Sequence, residues 1–351
     1  MRTANFVSAI AVFFSGCSSP AGGNSAAPDG AAGGATTPDF LLYDAGNGPG
    51  SLIYGLHVDP EGVYWIQKDM NIYRGSRDGR QPAQAWGQIH MQFADTMTGD
   101  AQRLYWLEHE KLRFRDKQSG AEGEVLLPWD HAGGALALDD RYVYAAMLGC
   151  PALNRIDKQT LARDELDIPG VAVDPRGGGT TLVLQDGGFY CGAWGNIFWI
   201  PGWDQPAKQL VTTALRLAGL SPLGANLFWL NDPGYNYTIT TYVSRLVLST
   251  GAVTDFAEEQ SRGASNLLAS PDGKWLFNAS FMVLHATSTA DGRHVEVLPP
   301  DREGTRAASY GTQMRTDGEA LYYLADRVLA DGVHHGVHRV PFAYLSHVLQ
   351  Q

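Results

Sequence analysis

The chain carries ten histidines, 37 acidic side chains and three cysteines, and the spacing of these groups decides what chemistry they could do. The densest group is HHGVH, with His334, His335 and His338. Imidazoles this close suggest a metal ion. On a strand, however, residues 334 and 338 share a face and stand about 13 Å apart, too far for one ion unless the backbone bends. No Cys or carboxylate accompanies them at a zinc-site spacing. They read as polar strand or rim residues, and no metal is expected. HEKLR (109–113) lacks the second histidine of a zincin helix. No G-x-S-x-G elbow, phosphate loop or dinucleotide fingerprint occurs, so no catalytic residue and no cofactor is assigned. His57, His90 and His131 fall in or near segments that read as inner strands, which makes them the histidines that matter if the chain is an enzyme.

The aspartates carry a different message. The triplets VYW (63–65), LYW (104–106), VYA (143–145), LVL (182–184), LFW (227–229), LFN (276–278) and LYY (321–323) recur with a mean step of 43 residues between central positions. Five of these central residues are preceded, five positions earlier, by an aspartate: Asp59, Asp100, Asp139, Asp272 and Asp317. Asp closes turns because its carboxylate takes up backbone N–H groups, so this repetition is turn chemistry between a first and a second strand. Apolar runs such as GLHVD and ALALD precede the turns and suit a buried inner strand. NIYRGSRDG, KLRFRDKQSG and ALNRIDKQT follow as third strands with polar turns. Seven units of about four short strands predict an all-β fold, a seven-bladed β-propeller of four-stranded antiparallel blades over residues 39–351. FLLYDAG (40–46) is placed to complete the last blade, whose third strand is GVHRVPF, and so to close the ring.

The YW…IxR…DG grammar of residues 56–342 resembles the propeller repeats of the low-density-lipoprotein-receptor type and related bacterial surface propellers. It is strongest in the first three copies. It departs from the receptor in having seven copies rather than six and in the looser form of copies four to seven. The resemblance implies the fold and an extracytoplasmic setting and transfers no catalytic residue.

In such blades the connections after the second and fourth strands emerge on one face. Three stretches after second strands read as expanded loops: 185–196, 231–242 and 325–336. Long loops on a rigid scaffold commonly carry function, and these hold Phe189, Tyr190, Trp194, Tyr235 and Tyr237. Connections entering inner strands add Trp86, Trp129, His131 and Tyr310, with Arg262 and Arg306 as nearby cations. A shallow aromatic bowl with a few polar groups suits a protein loop or a glycan. The candidate ligand-binding set is therefore Trp86, Trp129, His131, Tyr190, Trp194, Tyr235, Tyr237 and Tyr310.

The N-terminus reads as an address. The apolar run 6–14 has signal-peptide length and is too short to span a bilayer. FSGC (14–17) resembles the bacterial lipobox, with Phe14 where leucine is usual, which implies cleavage before Cys17 and lipidation of its thiol. Residues 18–38 are rich in Ala, Gly, Ser and Pro and behave as a flexible tether. The expected organisation is a signal peptide at 1–16, a tether at 17–38 and the propeller beyond, held at the cell envelope. With Cys17 lipidated, Cys150 and Cys191 remain. They fall in loops of neighbouring blades three and four, and export favours a disulfide between them.

The formal net charge is −11, which argues against nucleic acid or an anionic membrane surface as partner; the only membrane contact expected is the lipid. Two functions follow. The first is a tethered binding module for a protein or glycan. The second is a lyase or hydrolase acting on a polysaccharide or lactone through a His/Tyr pair on the loop face, by analogy with propellers of the virginiamycin-B-lyase type.

Overall fold

Each repeat folds as an antiparallel sheet. The computed structural model describes residues 40–48, 52–90, 96–128, 134–147, 149–168, 180–193, 195–213, 215–232, 241–259, 266–279, 284–298, 305–307, 313–329 and 332–350, all within the unit Phe40–Gln351. The expected signal peptide 1–16 and the expected tether 17–38, with Cys17, lie outside them.

Strand β1 (Leu41–Gly46) precedes the first blade, which is β2 (Ile53–Asp59), β3 (Gly62–Gln67), β4 (Asn71–Gly75) and β5 (Gln84–Gln88). The second blade is β6 (Met97–Gly99), β7 (Arg103–Glu108), β8 (Lys111–Asp116) and β9 (Glu122–Leu126), and the third β10 (Gly134–Leu138), β11 (Tyr142–Met147), β12 (Ala152–Asp157) and β13 (Arg163–Asp167). The fourth is β14 (Thr181–Gln185), β15 (Gly188–Ala193), β16 (Asn196–Ile200) and β17 (Lys208–Thr212); the fifth is β18 (Arg216–Leu223), β19 (Asn226–Asp232), β20 (Thr241–Val247) and β21 (Ala252–Glu259). The sixth is β22 (Leu268–Ala269), β23 (Trp275–Ala279), β24 (Leu284–Ser288) and β25 (His294–Leu298). The seventh holds β26 (Thr305–Ala307), β27 (Met314–Thr316), β28 (Ala320–Leu329) and β29 (Gly332–Pro341). Strands pair in sequence order within each of the first six blades. This is the seven-bladed β-propeller that the repeat predicts.

The core is divided into seven apolar clusters, each lying between two neighbouring blades. Each holds the repeating aromatic of a second strand: Tyr64, Tyr105, Tyr144, Tyr190, Phe228, Phe277 and Tyr322. The seven are at most 5% exposed. Aromatics suit this place because they bury a large area on a pleated surface.

Blade four corrects the repeat. LVL (182–184), read as a second strand, is the first strand β14. Asp186 and Gly187, at φ 51° and 77°, make a two-residue turn of the kind Asp-Gly favours, because both positions need positive φ. The next strand then carries Tyr190, which supplies the repeating aromatic. The expected expanded loop 185–196 is accordingly a hairpin and strand. The loop 325–336 also resolves differently: β28 and β29 continue as paired strands from Ala320↔Pro341 to Leu329↔Gly332. Of the third, 231–242, residues 233–240 lie outside the described residues.

The ring closes as the sequence predicts. β1 pairs antiparallel with β29, so the last blade is built from both ends of the propeller segment. Tyr43 of β1 stacks on Trp65 at 5.0 Å, and its hydroxyl donates to Ser76 O at 2.7 Å. Gly75 makes room for it, since a Cβ there would collide with the Tyr43 ring. A short helix, α1 (Phe342–Leu349), was not legible in the repeat. It starts after Pro341, which cannot donate to a ladder, and buries Leu345 and Leu349 against blades six and seven.

Candidate functional site

The turns between first and second strands form one end of the propeller, and their aspartates act as the spacing predicts. Asp59 Oδ1 accepts from the N–H groups of Glu61 and Gly62 at 2.8 and 3.2 Å. Asp100, Asp139 and Asp317 each accept in the same way from the second and third residues that follow. Asp272 accepts from Lys274 N and the Ser270 hydroxyl.

The second carboxylate oxygen has a use the sequence reading missed. Lys117, in the turn after the third strand of blade two, reaches back to Asp59 Oδ2 of blade one and also bonds Asp100 O. Lys158 of blade three repeats this, reaching Asp100 Oδ2 of blade two at 2.7 Å and Asp139 O at 2.5 Å. Arg77 of blade one reaches Asp317 Oδ2 of blade seven at 3.1 Å. The signal was present in the sequence: Lys117 and Lys158 each follow a turn aspartate in the shared string DKQ.

Of the histidines that bear on catalysis, His57 is buried and donates Nε2–H to Asp59 Oδ2 at 3.0 Å. Burial pushes its imidazole below the ordinary value, outweighing the pull of the Asp59 hydrogen bond. Burial alone would raise the Asp59 carboxyl, but hydrogen bonds from His57 and Lys117 and the charge of Lys117 hold it down at about 2. His57 is thus part of the lock between blades one and two.

At the opposite end, His90 follows the fourth strand of blade one. Its backbone N–H donates to Glu108 Oε1 at 3.1 Å, and its ring nitrogen Nδ1 is 3.8 Å from Glu108 Oε2. Glu108 is 2% exposed. It accepts from Trp106 Nε1 at 2.7 Å and pairs with Arg113 Nε at 2.7 Å. In blade five Trp229 Nε1 likewise donates to Asn231 Oδ1 at 2.9 Å. A Trp followed two residues later by an acceptor puts both on one strand face, so this pattern too could have been read. His57 and His90 occupy opposite ends of the blades and do not converge.

Two members of the candidate ligand-binding set are described, and both sit elsewhere. Trp86 lies on the outer strand β5, not on a loop entering an inner strand. It meets Tyr64 edge-on at 5.4 Å, and the Arg115 guanidinium stacks on it at 4.9 Å, so it packs between blades one and two. Tyr190 is 5% exposed in the core between blades four and five, 4.5 Å from Trp199. Trp129, His131, Trp194, Tyr235, Tyr237, Tyr310 and Arg262 lie outside the described residues. Arg306 falls on β26.

The disulfide is present: Cys150 and Cys191 are bonded, with Cα atoms 6.4 Å apart. Cys150 is in the turn after β11, at φ 60°, but Cys191 is in the middle of β15 rather than in a loop. The bond therefore joins a turn of blade three to the second strand of blade four. In HHGVH, His334 Nδ1 pairs with Asp44 at 2.9 Å and His338 stacks on Tyr323 at 5.2 Å. Among the described residues no group of three metal-ligating side chains forms, and no helix there is long and apolar enough to cross a membrane.

No protein-family model and no curated protein matches this sequence. Solved structures share the fold. One is the computationally designed Ika8 protein, with TM-score 0.56 and 14% identity over 81% of this chain and 84% of that one. Another is the extracellular domain of a putative one-component system from B. thetaiotaomicron, at 0.58 and 11% over 81% of this chain and 38% of that one. A chain of the mitotic checkpoint complex aligns at 0.66 and 15%, covering 89% and 96%. At these identities the likeness is one of architecture.

Proposed function

We propose that the chain is a lipoprotein of the bacterial envelope, anchored through Cys17 and the tether 17–38, whose propeller binds a protein or glycan. The observation that carries this reading is the division of labour between the two ends of the blades. At one end, first-to-second turns of 2 to 5 residues spend their aspartates on backbone N–H groups and on cations of the next blade. At the other, connections between successive blades run from 3 residues to 13 and no such repeated lock occurs among the described residues. Variable connections on a locked scaffold are where recognition evolves. The receptor-like repeat grammar and the Cys150–Cys191 bond support an extracytoplasmic setting, and one structural neighbour is itself an extracellular bacterial domain.

The lyase or hydrolase reading needs a His/Tyr pair on the loop face. His57, committed to Asp59 at the far end, is not available to it.

The test has two arms. Cys17→Ala should move the protein from the membrane fraction to the soluble one; unchanged partitioning with no lipid mass on Cys17 would remove the anchor. The full chain should be retained on a glycan array or by envelope protein, with Trp129→Ala and Tyr235→Ala weakening retention at least tenfold and Gln159→Ala, at the opposite end, leaving it unchanged. Retention insensitive to every loop-face substitution would sink the binding face.

A further inference from the structure

The first strands of a propeller stand around its axis with one edge unpaired, and the unpaired N–H and C=O groups look into the central channel. Three of these edge groups are capped by two side chains of one segment of blade seven. Gln313 Oε1 accepts from Leu56 N–H of blade one at 2.7 Å. Arg315, on the innermost strand β27, donates Nη1–H to Met314 O at 2.9 Å and Nη2–H to Met97 O of blade two at 3.3 Å. Its side chain therefore crosses past blade one, within the channel.

Arg315 is surrounded by protein yet keeps solvent-reachable surface, the combination expected of a group lining an internal channel. Two of its five N–H groups meet carbonyls. Nε has no hydrogen-bond partner and is absent from the buried polar atoms that lack one, so that N–H keeps contact with the channel. No carboxylate among the described residues pairs with it. Its desolvation is unrelieved: burial alone draws it down to about 10, which leaves it charged at neutral pH. The charged groups of the nearby lock do not compensate, since Lys117 is matched by Asp59 and His57 is held neutral. Among the described residues the result is a positive spot on the axis of a chain whose formal charge is −11.

A buried unpaired cation is costly, and a guanidinium with a free edge fits an oxyanion in a forked, two-bond geometry. We propose that the axial channel is a binding site for a small oxyanion of the carboxylate or phosphate type, held by the free edge of Arg315. The site is separate from the loop face and does not depend on what that face binds.

The experiment is thermal unfolding of the full chain at constant ionic strength, with sodium chloride replaced stepwise by sodium acetate or by inorganic phosphate. A saturable rise in Tm of roughly 2–4 °C is expected for at least one of the two, and the responsive anion assigns the class. Arg315→Gln should abolish the rise. In chloride it should melt no lower than the wild type, because it removes an unpaired charge and keeps a donor for Met97 O. Arg315→Lys should keep a weaker response. A wild-type Tm that follows ionic strength alone overturns the proposal, and this arm needs no variant to fold. So does an Arg315→Gln protein that still responds to the anion. A Tm that drops equally with and without anion would make Arg315 a carbonyl cap only and likewise refute the site.

Discussion

The blade junctions from seven through one and two to three are built differently from those of blades four to six. In the first group an aspartate at each first-to-second turn is gripped by a cation of the next blade: Asp317 by Arg77, Asp59 by Lys117 and Asp100 by Lys158. At the next junction Asp139 turns its second oxygen to Tyr144 of its own blade at 2.7 Å, and the Cys150–Cys191 bond joins blades three and four instead. Beyond it the described junctions rest on apolar packing, with α1 bracing blade six through Arg293 Nη2 to Leu349 O at 2.7 Å. The lesson is that the strict repeat and the ionic grip are one thing. Copies one and two each present both halves of the same lock, an aspartate and a cation, and copy three presents the cation. Later copies are freed from that constraint and drift.

The largest effect should come from opening the ring. Deleting residues 40–44 removes Tyr43 and the pairing partner of β29, and loss of a buried aromatic alone costs about 3–5 kcal/mol. The expected outcome is a single cooperative transition at much lower denaturant. Fraying limited to blade seven, with an unchanged main transition, would show that the junction on the axis side suffices.

Breaking the lock comes next. Lys117→Met leaves Asp59 buried without its cation, and such removals cost about 3–5 kcal/mol. A urea melt that moved by less than 1 kcal/mol would mean that packing alone holds blades one and two. The covalent junction should weigh somewhat less. Reducing Cys150–Cys191, or replacing both with serine, should cost about 2–4 kcal/mol, read as a lower urea midpoint.

Acid should distinguish the two groups of blades. The Asp59 carboxyl sits at about 2 in the folded protein and near 3.9 in the unfolded chain. The unfolded state therefore binds the extra proton between these values. The stability due to Asp59 is fully present above about pH 4 and is lost as the pH falls through 2, roughly 2 kcal/mol in all. Asp59→Asn should flatten that part of the pH–stability curve. His285 in blade six, lowered to about 4 by burial and by His294, makes its own loss earlier, between 6.5 and 4. His285→Gln should reduce the early slope, to which the buried His57 also contributes, and leave the later one. The smallest effect belongs to Arg77→Met. Its partner pair is more than a third exposed on the arginine side, so a change below about 1 kcal/mol is expected.

The fold was legible because its signals are local and repeated. The Asp-to-aromatic spacing is one Asx turn plus half a strand, and five copies of it outvote any single exception. Blade four was misread because Val183 and Tyr190 both sit at the centre of apolar strands on either side of one tight turn, and strand pattern alone does not say which is first. Cys150 and Cys191 were legible for a simpler reason: once Cys17 is set aside, two thiols have one way to pair. The binding face was not legible to the same degree. Tyr190 and Trp86 look like loop aromatics in sequence, but the same side chains fill strand faces, and only tertiary packing separates the two uses. The role of Lys117 was hidden because its partner lies 58 residues away, beyond any local pattern.

The closing strand also sets an order of events. Asp44 and His334, which meet across β1 and β29, are 290 residues apart, so the first propeller strand to be made must wait for the last. Until then the growing chain carries two open sheet edges, and topologies that depend on such distant pairings fold slowly. A nascent propeller thus stays open until its last strand is made, and any product cut short before β29 retains a sticky edge that marks it for degradation or aggregation.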